Sequence, residues 1–78
     1  NTVIHHDAVI EDFSIIGAGV IIAGQVRIGK SSYVGSGSTI KNGITLGPKS
    51  LVGMAANVTK SFGENVVLVG NPAREMKR

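Results

Sequence analysis

Stepping by six from Ile4 meets Ile10, Ile16, Ile22, Ile28, Val34, Ile40, Leu46, Val52 and Val58 before Glu64 ends the series. With about a third of positions aliphatic and independent, such a run would arise on the order of once in 60,000 registers. Two residues before each aliphatic lies a second column: Thr2, Ala8, Ser14, Val20, Val26, Ser32, Ser38, Ile44, Ser50 and Ala56. Nearly all are small or β-branched. In extended backbone, residues i and i−2 point the same way, so both columns face one interior. Six residues are too few for a stable helix, and β-branched aliphatics favour strands. Small residues follow many of the aliphatics (Gly17, Ala23, Gly29, Gly35, Gly47, Gly53), and these are read as the corners. Three strands and three corners close a lap of eighteen residues. The aliphatics then stack as Ile4–Ile22–Ile40–Val58, Ile10–Ile28–Leu46 and Ile16–Val34–Val52. The prediction is an all-β parallel β-helix with three short strands per coil and about three coils.

Residues 1–62 carry the repeat. Residues 63–78 are read as a C-terminal cap and tail, with an added strand from Asn65 to Gly70 and a turn at Asn71-Pro72. Asn1 offers no cap for the first coil, which leads to the expectation that more coils or another domain precede it. Outward positions include Ile15, Ile21, Ala23, Tyr33 and Leu51. Such an apolar flank would be buried by packing three prisms into a cyclic trimer.

Composition narrows the function. The 78 residues contain no cysteine, so disulfides, thiolate metal ligands and a cysteinyl acyl-enzyme are excluded. Apolar runs are too short to span a membrane, and no signal peptide opens the chain, so the reading is cytoplasmic with no membrane partner. The net charge is +3, with Lys60, Arg74, Lys77 and Arg78 near the end. One Tyr, two Phe and no Trp leave few rings for base stacking, which argues against nucleic acid. The basic tail reads as solvated, or as a weak attractor for a ligand's phosphates, with Lys60, Arg74 or Lys77 as contacts.

The two histidines are adjacent, His5 and His6, and Asp7 follows. Neutral imidazole accepts a proton near pH 7, and a neighbouring carboxylate can orient the ring and stabilise its cation. Two adjacent histidines do not readily supply the three that a zinc site on a prism of this type needs, so no metal is expected. Thr2, Thr39, Thr45 and Thr59 form no outward ladder of the kind an ice- or surface-binding solenoid uses. The Gly-x-Gly pairs at Gly17–Gly19 and Gly35–Gly37 lack the third glycine of a dinucleotide fingerprint.

The hexad resembles that of the hexapeptide-repeat proteins, which implies a left-handed coil, an exception to the right-handed crossover rule. The segment from Ile4 to Ser14 and the ending Val69-Gly70-Asn71-Pro72-Ala73-Arg74 are similar to one acyltransferase branch. That branch is the sialic-acid O-acetyltransferase and UDP-amino-sugar (bacillosamine) N-acetyltransferase family. The resemblance implies His6 as general base, with Asp7 raising its basicity. It also implies acetyl-CoA as co-substrate in a groove between neighbouring prisms, and direct transfer to an amine or hydroxyl of a sugar or nucleotide sugar. By position, the Gly24 amide would face the thioester carbonyl, and Ser36 and Met54 would line the pantetheine channel. Ile15 stands where relatives carry a second histidine. The competing expectation is therefore a catalytically weak or degenerate solenoid serving as a trimeric scaffold.

Overall fold

The computed structural model describes residues 2–76. Its strands are β1 (Val3–Ile4), β2 (Val9–Ile10), β3 (Ile15–Ile16), β4 (Ile21–Ile22), β5 (Arg27–Ile28), β6 (Tyr33–Val34), β7 (Thr39–Ile40), β8 (Thr45–Leu46), β9 (Leu51–Val52), β10 (Asn57–Val58), β11 (Val67–Val69) and β12 (Arg74–Glu75). No helix forms among the described residues. Three sheets make the faces of a left-handed prism: β1-β4-β7-β10, β2-β5-β8, and β3-β6-β9-β11 with β12 added at the end. Strands on each face run parallel, and the register from β1 to β10 is eighteen residues: Ile4 pairs with Ile22, Ile10 with Ile28, and Ile16 with Val34.

The aliphatic columns fill the interior. Ile22, Ile28, Val34, Ile40, Leu46, Val52 and Val58 are all fully buried. Each such Ile, Leu or Val contributes about 1.5–3 kcal/mol relative to exposure. Glu64 ends the six-residue series because the last coil is two residues shorter. Phe62 bridges Leu46, and Leu68 pairs with Val52, both sixteen residues apart. The solenoid therefore makes about four turns, one more than its unbroken sequence period indicates. β12 pairs antiparallel with β11 and ends the parallel stacking on that face.

The second inward column carries a polar ladder. Thr2, Ser14, Ser32 and Ser38 each donate a hydroxyl to the carbonyl of the residue fifteen positions on: Gly17, Gly29, Gly47 and Gly53. Ser50 reaches Gly63 across the shortened coil and also Gly47. Ser14 and Ser32 in turn accept the amides of Ser32 and Ser50. These hydroxyls tie one coil to the next, so every buried side-chain polar atom among the described residues is satisfied.

The glycines following the aliphatics have a different purpose from the one the sequence suggested. They are not the conformational corners. A Cβ at Gly17 would lie 2.7 Å from the Ser36 amide nitrogen, and one at Gly47 would lie 2.5 Å from that of Glu64. Glycine is required there because the next coil's backbone occupies the space. The left-handed backbone falls two residues later, at Phe13, Gly19, Gln25, Ser31, Gly37, Gly43, Lys49 and Ala55, with φ between 57° and 79°. Five of these eight are not glycine, a strained choice worth about 1–2 kcal/mol each that the stacked coils over-determine.

Gly29→Ala places its Cβ against the backbone of Pro48 and is expected to cost about 1–3 kcal/mol. Gly63→Ala, which meets no atom within 4 Å, should leave stability within about 0.5 kcal/mol. Urea denaturation midpoints of the two variants check this difference.

Candidate active site

The turn joining β1 to β2 breaks the pattern kept by the other corners. In the higher coils, the left-handed residue donates its amide to a backbone carbonyl of the coil below. Ser31 bonds Asp12, Gly37 bonds Ala18, Gly43 bonds Gly24, Lys49 bonds Lys30 and Ala55 bonds Ser36. By this rule Gln25 would bond the carbonyl of His6. It donates instead to Oδ1 of Asp7, at 3.1 Å. Asp7 itself is absent from the positive-φ series that runs through the equivalent position of each following corner to Ala55.

The same carboxylate oxygen lies 2.6 Å from Nδ1 of His5, which donates to it as Nδ1–H. The His5 and Asp7 side chains are 48% and 42% exposed, so the pair is open to solvent and to ligands. The His6 ring stacks on that of His5, with centroids 4.5 Å apart and planes at 29°. The His6 ring forms no hydrogen bond with any described residue. Sequence reasoning paired Asp7 with His6 as immediate neighbours. The structure gives the direct bond to His5, because a tight turn brings side chains two residues apart together across the corner.

The Asp7 carboxyl is held below its ordinary 3.8, first by the Gln25 amide and then by the His5 hydrogen bond and the charges of His5 and His6. For a carboxyl lowered in the folded state, the stabilising contribution is complete above the ordinary value. It is lost only as pH falls through the lowered one. The carboxylate is therefore ionised throughout the neutral range.

Gly24 sits one coil above and is buried. Its carbonyl accepts from Gly43 at 3.0 Å, while its amide has no acceptor among the described residues. A Cβ at Gly24 would stand 3.0 Å from Asp7 Oδ1 and 3.4 Å from His5 Nδ1. The missing side chain is what gives the carboxylate and the imidazole their room.

Ser36 and Met54 stack one above the other, but at the corners following β6 and β9, on a different edge of the prism from Gly24. One chain does not bring the two groups together. Ile15 is 61% exposed on the face it shares with Tyr33 and Leu51. Lys60 lies over the ring of Phe62, 5.6 Å from its centroid, and Arg74 is exposed on β12. Lys77 lies outside the described residues. A separate cleft of about 450 Å³ opens at another corner between Lys30, Pro48, Lys49, Glu64 and Asn65. No group of three or more histidine, cysteine or acidic side chains able to hold a metal occurs among the described residues. No helix long and apolar enough to cross a membrane occurs among the described residues.

No protein-family model matches the sequence, and no curated protein does. Solved structures do match the fold. The acetyltransferase domain of PglB from Neisseria gonorrhoeae, in complex with acetyl coenzyme A, is similar with a TM-score of 0.94 and 27% identity over 96% of this chain and 37% of its own. A histidine-to-asparagine variant of perosamine N-acetyltransferase from Caulobacter crescentus, in complex with CoA and GDP-perosamine, gives 0.90 and 25% over 92% and 34%. PerB from Caulobacter crescentus, with the same two ligands, gives 0.80 at 19% identity over 97% and 57%, a likeness of fold. The chain thus spans about a third of the length of the first two.

Gly24→Ala should push the Asp7 carboxylate off the Gln25 amide. A carbon-detected NMR titration is expected to place the Asp7 midpoint below 3.8 in the parent, and to move it upward in the variant. The repeat, the left-handed prism and the solved likenesses together show that this chain resembles the hexapeptide-repeat acyltransferases, and within them the bacterial sugar N-acetyltransferases.

Proposed function

We propose that this chain carries the acetyl-transfer segment of an enzyme that moves acetyl from acetyl-CoA directly to an amine of a sugar or nucleotide sugar. One observation carries the reading. In a solenoid similar to acetyltransferases solved with their coenzyme, the corner that departs from the repeat holds His5, His6 and Asp7 one coil below Gly24, whose amide has no acceptor among the described residues.

His6 is the general base. Its ring is free of hydrogen bonds to the described residues, stacks on His5, and can accept a proton from an incoming amine. As the amine nitrogen attacks the thioester carbon, His6 takes its proton. The Gly24 amide donates to the developing oxyanion, a term whose loss in other enzymes costs about 2.7–4 kcal/mol. The tetrahedral centre then collapses, the carbon–sulfur bond breaks, and the proton on His6 passes to the departing thiolate. No covalent acyl-enzyme and no metal enter the sequence of steps.

Ser36 and Met54 are assigned to the pantetheine arm, contributed by a neighbouring copy across the groove. The exposed row Ile15, Tyr33 and Leu51, with Ile21 on the adjoining face, is the surface that a cyclic trimer would bury. The assembly is placed in the cytoplasm, where acetyl-CoA and nucleotide sugars are both available. The second reading, a degenerate solenoid scaffold, draws on Ile15, an exposed hydrocarbon that cannot donate a hydrogen bond to the acetyl group.

Thiol release from acetyl-CoA with an amino-sugar nucleotide as acceptor separates the two. The enzyme reading expects His6→Ala to lower turnover by about 10²- to 10⁴-fold. Equal background release by parent and variant would favour the scaffold.

A further inference from the structure

Two facts about the corner are unused by this mechanism. Asp7 is bonded to His5, not to the base, and the His6 ring has no hydrogen bond that fixes its orientation. An exposed imidazole with two free torsions samples several rotamers. What holds His6 in place is the His5 ring stacked on it at 4.5 Å. His5 is itself fixed: its Nδ1–H meets Asp7 Oδ1, and that oxygen is pinned from the other side by the Gln25 amide of the next coil. The chain of contact runs from the rigid backbone of the second coil, through carboxylate and first imidazole, to the second imidazole. Gly24 leaves the space this requires.

We infer that His5 is a positioning residue: its imidazole, anchored through Asp7 to the Gln25 amide, is the platform that sets the orientation of the His6 ring. This inference rests on the acetyl-transfer reading for its catalytic consequence but not for its geometry. The charged groups acting on Asp7 are His5 and His6 themselves. The side chain reaching in from above is the neutral Asn42, whose Nδ2 would lie 3.3 Å from a Cβ at Gly24. The nearest other ion pair, Arg27 with Glu11, belongs to the next face. Stacking and one hydrogen bond therefore account for the arrangement without a further ion.

The two contacts of His5 can be removed separately. His5→Phe keeps an aromatic surface and loses the bond to Asp7. His5→Asn keeps a donor near the Nδ1 position and loses the platform. His5→Ala loses both. In the intact protein, His5→Ala and His5→Asn are expected to lower kcat by about 10- to 100-fold, the scale of misoriented catalytic groups. KM for acetyl-CoA should stay unchanged, and His5→Phe, which keeps the stacking surface without its anchor, should recover only part of the loss. The ring-proton NMR signals of His6, displaced upfield by the stacked imidazole, should return toward free-histidine positions in the Ala and Asn variants and remain partly displaced in Phe.

If all three variants keep full kcat, or if the His6 ring signals do not move in His5→Ala, the inference is overturned. If His5 variants fall to background while His6→Ala retains turnover, His5 is the base itself, and the inference is again overturned. If the parent releases no thiol with any amino-sugar nucleotide, the acetyl-transfer reading fails. The ring signals alone then decide whether the platform exists.

Discussion

Neighbouring coils sit one sheet hydrogen bond apart, about 4.8 Å, and the rest of the structure adjusts to that spacing. Two backbones so close leave no room for a side chain at several of the residues that lead out of a strand into its corner, where a Cβ would meet the backbone of the coil above. Glycine at 17, 29, 35 and 47 is the direct result. The inward hydroxyls exploit the same closeness by reaching the carbonyl fifteen residues ahead. A solenoid with few aromatic residues is held by this combination of aliphatic stacking and short polar ties, without a large central core.

The candidate site lies on an edge of the prism where that constraint is relaxed: the residues leading into its corners are His5, Ala23, Lys41 and Thr59, none of them glycine. His5 occupies the slot that holds glycine at 17, 29, 35, 47 and 53, and its ring must go somewhere. It fits because the residue above, Gly24, has no side chain. The Asp7 carboxylate enters the same space and takes the amide that the repeat would have given to a backbone carbonyl. An irregular corner thus yields a carboxylate and two imidazoles within one turn of chain, with the Gly24 amide one coil above. Glu11 occupies the equivalent slot on the next face and pairs with Arg27 of the coil above, so departures from glycine lead to side chains that bridge coils.

Much of this was legible in the residues. The columns from Ile4 to Val58 give the register and the three faces without error, because burial of alternating aliphatics is periodic and the period is unbroken. The fourth coil was hidden by a two-residue shortening before Phe62, which moves Leu68 out of a strict six-residue series. The left-handed corners were misplaced. Phe13, Gln25, Ser31, Lys49 and Ala55 carry no local mark of positive φ, since the stacked coils impose it. The weight of His5 was missed for a similar reason. Alternation along a strand separates neighbours, but says nothing about residues 5 and 7 meeting across a turn. Its sequence signal was weak: a bulky polar residue in a column that holds glycine or alanine at six of ten positions but also Glu11, Lys41 and Thr59.

The eighteen-residue lap is the claim on which both site and mechanism stand, since only that register sets Gln25 and Gly24 over Asp7. The chain has no native cysteine, so engineered pairs can measure it. Val9 and Arg27 are paired outward positions on one face, and Val9→Cys with Arg27→Cys is predicted to form an intramolecular disulfide under mild oxidation, as paired residues of adjacent strands permit. Val9→Cys with Tyr33→Cys, twenty-four residues apart and on different faces, is predicted to form none. Efficient bridging of the second pair, or failure of the first in folded protein, would contradict the account.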